Sequence, residues 1–272
     1  MSIQGLCAGA LAAGVIGLCA GALAADLPAK APPIAPYDWT GFYAGVNAGY
    51  GDIRGAAVTQ NDNAPTLINI LAAERRFSFA PRSGFVGGVQ AGYNWQMAPT
   101  WVMGVEADLS YLDGGRDTTS AFLFGGAFPG SFTASQQTKW IGTVRGRLGF
   151  LPTDRLLVYG TGGFAYGRIE TSGSVNNNFG ANLLLGAPIC AAQSTCYQGS
   201  ESKTATGWTA GGGLEYAAWR NVTLRLEYLY VELGGETLAL SPSATTTGGG
   251  SATFKFSSTA FNVVRGGVSF KF

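Results

Sequence analysis

Residues 259–272 read T-A-F-N-V-V-R-G-G-V-S-F-K-F. Even-numbered Ala260, Val264, Val268, Phe270 and Phe272 are apolar or small, while odd-numbered Arg265, Ser269 and Lys271 are polar. A period of two belongs to a strand with one greasy face. Asn262 is the misfit on that face. A soluble protein that finished on such a strand would leave an aromatic face and an open edge in water. In a membrane barrel the outward face meets lipid, aromatics sit at headgroup level, and the edge closes by pairing with the first strand. Alternation alone does not separate lipid from a protein core, so the last strand of a soluble sandwich is the competing reading.

Upstream the same unit recurs: a strand of about ten residues, then a very short turn or a long polar connection. Residues 41–51 place Phe42, Ala44, Val46, Ala48 and Tyr50 on one face and Gly45, Asn47 and Gly49 on the other. Residues 84–96 turn Phe85, Val89, Ala91, Tyr93 and Trp95 outward and Gln90, Asn94 and Gln96 inward. After a tight turn, residues 101–113 alternate Trp101, Met103, Val105, Ala107, Leu109 and Tyr111 with Glu106, Asp108 and Ser110. Residues 138–150 set Trp140, Val144, Leu148 and Phe150 against Lys139, Thr143, Arg145 and Arg147. Residues 156–166 are the least regular, because Leu157 and Tyr159 share the expected inner face with Thr161 and Gly163. Residues 206–216 set Trp208, Ala210, Leu214 and Tyr216 against Thr209 and Glu215. Residues 222–232 set Val222, Leu224, Leu226, Tyr228 and Tyr230 against Thr223, Arg225 and Glu227. With the last strand this makes eight, the smallest even count a membrane barrel uses. The expected fold is an all-β, eight-stranded, antiparallel up-and-down transmembrane barrel over residues 38–272.

The connections orient it. Three are a few residues long, whereas 52–82, 114–137, 171–204 and 233–258 are long and polar. Bacterial barrels keep short turns in the periplasm and long loops outside, so both termini are expected in the periplasm. Trp95, Trp101, Phe150, Trp219 and Phe272 then fall at the periplasmic rim, and Tyr50, Tyr111, Trp140, Trp208 and Tyr230 at the outer one.

An eight-stranded barrel is just wide enough for side chains to fill it. Its inward positions include Glu106, Asp108, Glu215 and Glu227 against Arg145, Arg147, Arg225, Arg265 and Lys271. Buried charges are costly unless paired, so this mixed set predicts an ion-pair network that plugs the lumen. The alternative is a narrow porin whose arginines line a path for anions. The carboxylates are not expected to be catalytic, because the enclosure leaves no room for a substrate, and a chain without histidine cannot form a His-assisted triad. Gly211-Gly212-Gly213 sits inside a strand and Gly248-Gly249-Gly250 in a Ser/Thr loop, so neither reads as a phosphate loop.

Composition agrees. Among 272 residues, 42 are glycine and only 12% are charged, with a formal net charge of +1 and no basic block, which argues against nucleic-acid binding. No long apolar run follows the first twenty-five residues, so a helical membrane domain is not expected. Residues 1–24 read as a secretory signal ending in Ala22-Leu23-Ala24, although no Lys or Arg precedes the apolar stretch and GLCAGALAA occurs twice, at 5–13 and 17–25. An uncleaved anchor is the other reading. Residues 25–37 form a Pro/Ala-rich lead-in. Cys7 and Cys19 leave with the signal, and the remaining pair, Cys190 and Cys196, is expected to form a disulfide closing a small loop. Two thiols without histidine are too few for a closed zinc site, and no metal or cofactor is expected.

Particular stretches sharpen the picture: D-W-T-G-F-Y-A-G at 38–45, G-G-V-Q-A-G-Y-N-W-Q at 87–96, G-V-E-A-D at 104–108 and R-G-R-L-G at 145–149. To these add Y-G-T-G-G-F-A-Y-G at 159–167, G-W-T-A-G-G-G-L-E-Y at 207–216, L-E-Y at 226–228 and terminal Phe272. In their order and spacing they resemble the small outer-membrane β-barrel family of Gram-negative bacteria that includes the outer-membrane immunogenic proteins and has an OmpA-type barrel. The resemblance implies an abundant, porin-like surface antigen in contact with outer-membrane lipid and lipopolysaccharide, without enzymatic activity. It also implies delivery by the barrel-assembly machinery, with Phe270 and Phe272 as the C-terminal assembly signal; because the sequence ends at the barrel, an appended peptidoglycan-binding domain is not expected. Some relatives are described as binding haem, but this chain offers no histidine as axial ligand. Any host or extracellular ligand is expected at the loops, where Asn176, Asn177, Asn178, Thr245, Thr246 and Thr247 are polar.

Overall fold

Alternation of side chains about a pleated backbone runs through eight long strands in a computed structural model of the protein. It describes residues 36–54, 57–62, 76–113, 115–123, 130–177, 189–190, 193–244, 246–247 and 252–272. The strands are β1 (Gly41–Arg54), β2 (Arg82–Ala98), β3 (Trp101–Asp113), β4 (Gly130–Thr153), β5 (Leu156–Asn177), β6 (Ser194–Ala217), β7 (Val222–Leu233) and β8 (Thr259–Lys271). Consecutive strands pair antiparallel, and β8 returns to β1 with Ala44 opposite Phe270 and Tyr50 opposite Val264. The sheet is therefore a closed ring. The expected signal and residues 25–35 of the lead-in lie outside the described residues.

The two faces of the wall differ as the alternation requires. Outward Val46, Val105, Leu226 and Val264 are each more than half exposed, while inward Arg145, Glu215 and Glu227 are buried. A continuous exposed apolar band of this kind is suited to hydrocarbon. Trp95, Trp101, Phe150, Trp219 and Phe272 ring the end that carries the termini, and Tyr50, Tyr111 and Trp208 the opposite, far end. Asn262 is accommodated on the outward face because Tyr228 Oη donates to its Oδ1 at 2.7 Å.

The far end departs from expectation. The long connections are not simply polar loops: β4 begins at Gly130, β5 runs to Asn177 and β6 begins at Ser194. Short strands at Ala57–Asp62, Arg76–Ser78, Asp117–Leu123, Thr237–Pro242 and Ala252–Phe256 extend the wall beyond the aromatic ring. Inside that extension Val58, Phe79, Phe132, Val175, Leu238, Leu240, Phe254 and Phe256 form a core of their own. Asn176, expected in a loop, is a β5 residue opposite Thr195, whose Oγ1 donates to its Oδ1 at 2.9 Å; Asn177 ends the same strand. Thr246 and Thr247 pair with Cys190 and Ile189, and Asn178, Thr245 and Gly248 to Gly250 lie outside the described residues.

One inward assignment is corrected. Lys139 is exposed because the β4–β5 register shifts between Thr138 and Trp140, a bulge that leaves Lys139 as the extra residue and turns it out. Lys271 faces the inner side at the terminal rim, where it lines a small cavity with Glu215 and Thr223 and its Nζ donates to the Asp38 carbonyl beside the Tyr37 ring, outside the ion-pair cluster.

Inward glycines explain how long side chains fit. Gly92 lies opposite both Tyr43 and Glu106, and a Cβ there would come within 2.5 Å of Tyr43 Oη. Gly213 lies opposite Tyr159 and Glu227, and a Cβ there would meet Leu226 O at 2.5 Å and Tyr159 Oη at 2.8 Å. Small residues across from large ones let a narrow barrel fill evenly. Gly213→Val is expected to destabilise the folded barrel by about 1–3 kcal/mol through overpacking, read as a lower urea midpoint in detergent.

The charged lumen as candidate functional site

Strand parity aims eight ionisable side chains at the barrel axis: Glu106 and Asp108 from β3, Arg145 and Arg147 from β4, Glu215 from β6, Arg225 and Glu227 from β7, and Arg265 from β8. All eight come together, and every one of these side chains is 3% exposed or less. Arg145 is the hub. Its Nη2 lies 2.5 Å from Glu106 Oε1 and 3.0 Å from Asp108 Oδ2, and its Nη1 lies 3.1 Å from Glu227 Oε1. Towards the far end Arg265 joins Asp108 at 3.0 Å to Glu227 at 2.7 Å. Towards the terminal end Arg147 and Arg225 share Glu215 at 2.6 and 3.3 Å, and Arg225 reaches Glu106 at 2.5 Å. Four guanidinium groups face four carboxylates, so the cluster is neutral.

Neutral side chains satisfy much of the rest. Tyr43 Oη donates to Glu106 Oε2 at 2.6 Å and accepts from Arg147 Nη1 at 3.0 Å. Tyr159 Oη donates to Glu227 at 2.9 Å while its ring lies 4.2 Å from the Arg147 guanidinium carbon. Thr143 donates to Asp108, and Thr223 donates to Glu215 at 2.7 Å. Tyr43, Thr143 and Thr223 each occupy an inward position on their own strand, so parity was the signal for them. Tyr159 was the residue that made β5 look irregular, and its place in the network is the reason.

The charges do not run the length of the lumen. On the far side they meet Ile53, Val86, Leu112, Ile141, Ile169, Leu229, Val231, Leu233, Phe261 and Val263, all buried. On the terminal side Trp39, Val102, Leu151 and Leu157 close the barrel, with Trp39 Nε1 donating to the Asp154 carbonyl at 3.1 Å and its ring edge-on to Tyr37 at 4.9 Å. Among the described residues, a cavity of ≈ 20 Å³ lies beside Asp108 and Arg265 and one of ≈ 10 Å³ beside Glu215, Thr223 and Lys271. Such volumes suit about one water each. Chemically, the arrangement binds charge to charge.

Of the other expected site residues, Phe270 and Phe272 stack edge to face at 5.3 Å on the lipid side, and Phe272 N donates to the Phe42 carbonyl at 3.0 Å. Cys196 is buried in the far-end core, while the side chain of Cys190 lies outside the described residues.

A closed eight-stranded ring with an apolar belt and a charged, filled interior defines the class of small membrane β-barrels. Residues 10–272 match the family described as outer membrane protein beta-barrel domain, and the chain belongs to that family. It is similar to a 31 kDa outer-membrane immunogenic protein of Brucella melitensis, 34% identical over 248 residues that cover 89% of this chain and 87% of the relative. A 22 kDa outer membrane protein of Rhizobium leguminosarum bv. viciae is 35% identical over 149 residues, 55% of this chain and 53% of that one. Among solved structures, the outer membrane protein OprG of Pseudomonas aeruginosa aligns over 88% of this chain and 100% of its own at 12% identity, with a TM-score of 0.48.

Glu106 sits between three guanidinium groups and a phenol. Removing one member of a buried pair leaves its partners uncompensated, which typically costs about 3–5 kcal/mol. Glu106→Gln is therefore expected to lower the urea midpoint of the detergent-refolded barrel by a corresponding amount, while exposed Arg54→Ala leaves it within about 0.5 kcal/mol.

Proposed function

We propose that the chain is a non-conducting, non-enzymatic structural barrel of the outer membrane, with both termini in the periplasm and its extended far end outside the cell as a surface antigen. The observation that carries this reading is the filled lumen: a neutral ion-pair layer between two apolar layers, flanked by cavities of ≈ 10 and ≈ 20 Å³. Ions crossing such a layer would have to break buried pairs and then enter an apolar section. The immunogenic character named for the Brucella relative supports the surface role. The far-end core, built from residues of four connections, favours a second reading as a ligand-binding or adhesive module.

The same proposal includes contact with lipopolysaccharide, recognition of Phe270 and Phe272 by the barrel-assembly machinery, removal of residues 1–24, and a Cys190–Cys196 disulfide. The last two are checked together. The mature chain is expected to begin at residue 25 and to take up no thiol-alkylating reagent until it is reduced, as read by intact mass under denaturing conditions.

For the lumen, single-channel recording in planar bilayers is the test. The wild-type protein is expected to be silent, and the Arg145→Ala, Arg147→Ala double variant to open intermittently. Steady conductance from the wild type, with ion selectivity altered in the variant, would instead make the lumen a solute path.

A further inference from the structure

The outward surface of β4, β5 and β6 changes character in steps towards the far end. Along β5 it reads Phe164, Tyr166, Arg168, Glu170, Ser172, Ser174, each about 6.7 Å beyond the last. Phe164 is exposed in the apolar band, and Tyr166 packs edge to face with Trp140 at 5.8 Å in the aromatic ring. Immediately beyond stand the cations. The bulge that turns Lys139 out places its Nζ 2.7 Å from Glu170. Arg168 is exposed and donates from Nε to Ser202 Oγ at 2.9 Å, which leaves both Nη groups for another acceptor. On the neighbouring strand Asp113 stands two residues beyond Tyr111, which pairs with Trp140, so the two cations at the β4–β5 seam, Lys139 and Arg168, have Glu170 between them and Asp113 to one side.

Above the cations lies an open groove of ≈ 440 Å³ lined by Thr133, Ser135, Ser172, Ser174, Gln198 and Ser200. The lining is a grid set by register, with Ser172 between Ser135 and Ser200, and Ser174 between Thr133 and Gln198. Ser135 and Ser172 hydroxyls are 2.6 Å apart. Hydroxyl and amide groups in a volume typical of small-ligand sites suit polyhydroxylated rings. The same level on the opposite side of the barrel differs: Arg54 stands 3.9 Å from Asp52, and Tyr230 donates to Glu232. Among the described residues on that side, Arg54 and Arg82 are matched by Asp52 and Glu232.

We propose that the β4–β6 face holds a phosphorylated glycolipid of the surrounding leaflet, lipopolysaccharide, with its acyl chains on the Phe164 and Tyr166 band, its phosphates on Arg168 and Lys139, and its sugars in the Ser/Thr groove. A guanidinium with two free Nη groups forms bidentate contacts with phosphate, and a lysine adds a point charge. The order of apolar, aromatic, cationic and hydroxyl surface is the order of acyl chain, interface, phosphate and sugar in that lipid. The inference rests on the proposed orientation, in which the far end is outside.

The test is binding to the refolded mature barrel in detergent micelles, followed by native mass spectrometry. Rough lipopolysaccharide, lipid A with and without its phosphates, free core oligosaccharide and inorganic phosphate are the probes; lipid A is expected to lose affinity with its phosphates, and equal binding of its two forms overturns the proposal. Rough lipopolysaccharide is expected to bind saturably, and the Lys139→Gln, Arg168→Gln double variant to lose about tenfold or more in affinity. Arg54→Gln is expected to bind as wild type. Ser172→Trp is expected to weaken rough lipopolysaccharide but not lipid A without its core sugars. Heat-dependent mobility in gel electrophoresis confirms that each variant is folded. Unchanged affinity in the double variant overturns the proposal, as does equal weakening by Arg54→Gln. Displacement by inorganic phosphate or free oligosaccharide at similar concentration also overturns it, since the face would then select a soluble anion or sugar. Loss of binding beside a silent lumen leaves the plugged-barrel reading standing; a conducting lumen beside intact binding overturns that reading alone.

Discussion

Within hydrocarbon a backbone N–H or C=O without a partner has no water to turn to, and each such group costs several kcal/mol. Pairing of β1 with β8 is what meets that constraint here, since it removes the last two edges of the sheet. Closing eight strands sets a narrow bore, and a narrow bore must be filled by side chains from its own wall. Long inward residues then need short ones across from them, which is why Gly92 and Gly213 stand opposite Glu106 and Glu227. Inward charges have no water either, and so each guanidinium finds carboxylates from other strands.

The apolar layers above and below alter what the ion pairs are worth. Phe261, Val263 and Leu229 on one side and Trp39, Val102 and Leu157 on the other keep bulk solvent from the charged layer. In a low-dielectric setting a satisfied pair is held more strongly and an unsatisfied group is penalised more heavily. Trp39 contributes although it precedes the first strand: residues 36–40 fold across the barrel mouth, anchored by the Trp39 bond to Asp154 and by Trp39 N donating to Gln96 Oε1 at 3.1 Å.

The eight network residues were legible in the sequence because they sit where each strand contrasts most sharply, with Leu or Val outward and Arg or Glu inward. The contrast fades elsewhere. Val231, Leu233, Phe261 and Val263 are inward yet apolar, next to outward Tyr230, Ala260 and Val264, so both faces read alike and the far half of the lumen was not distinguished. Lys139 misled because a bulge shifts parity by one, and nothing in T-K-W announces a bulge. In the extension, Phe132 and Val175 are isolated apolar residues in polar stretches, too sparse to signal strands, and they acquire a core only when four connections meet. The pairing of particular arginines with particular acids depends on the stagger of the ring, which no single strand encodes.

The bond between Asp108 and Arg265 joins residues 157 positions apart, and Glu106 reaches Arg225 across 119. Neither acid on β3 has its full set of partners until β7 and then β8 have arrived. A growing sheet that carried Glu106 and Asp108 into the bilayer before that point would hold incompletely paired carboxylates in hydrocarbon, with Arg145 of β4 as their shared partner. The partly assembled wall must therefore keep its inner face wet, as an open trough, and lose its water only as β8 docks on β1. Insertion and closure become one cooperative event rather than a strand-by-strand process. The reverse also holds: β8 cannot leave the seam without breaking both Arg265 pairs, to Asp108 and to Glu227, so the barrel's persistence in the membrane is governed by a barrier as much as by an equilibrium.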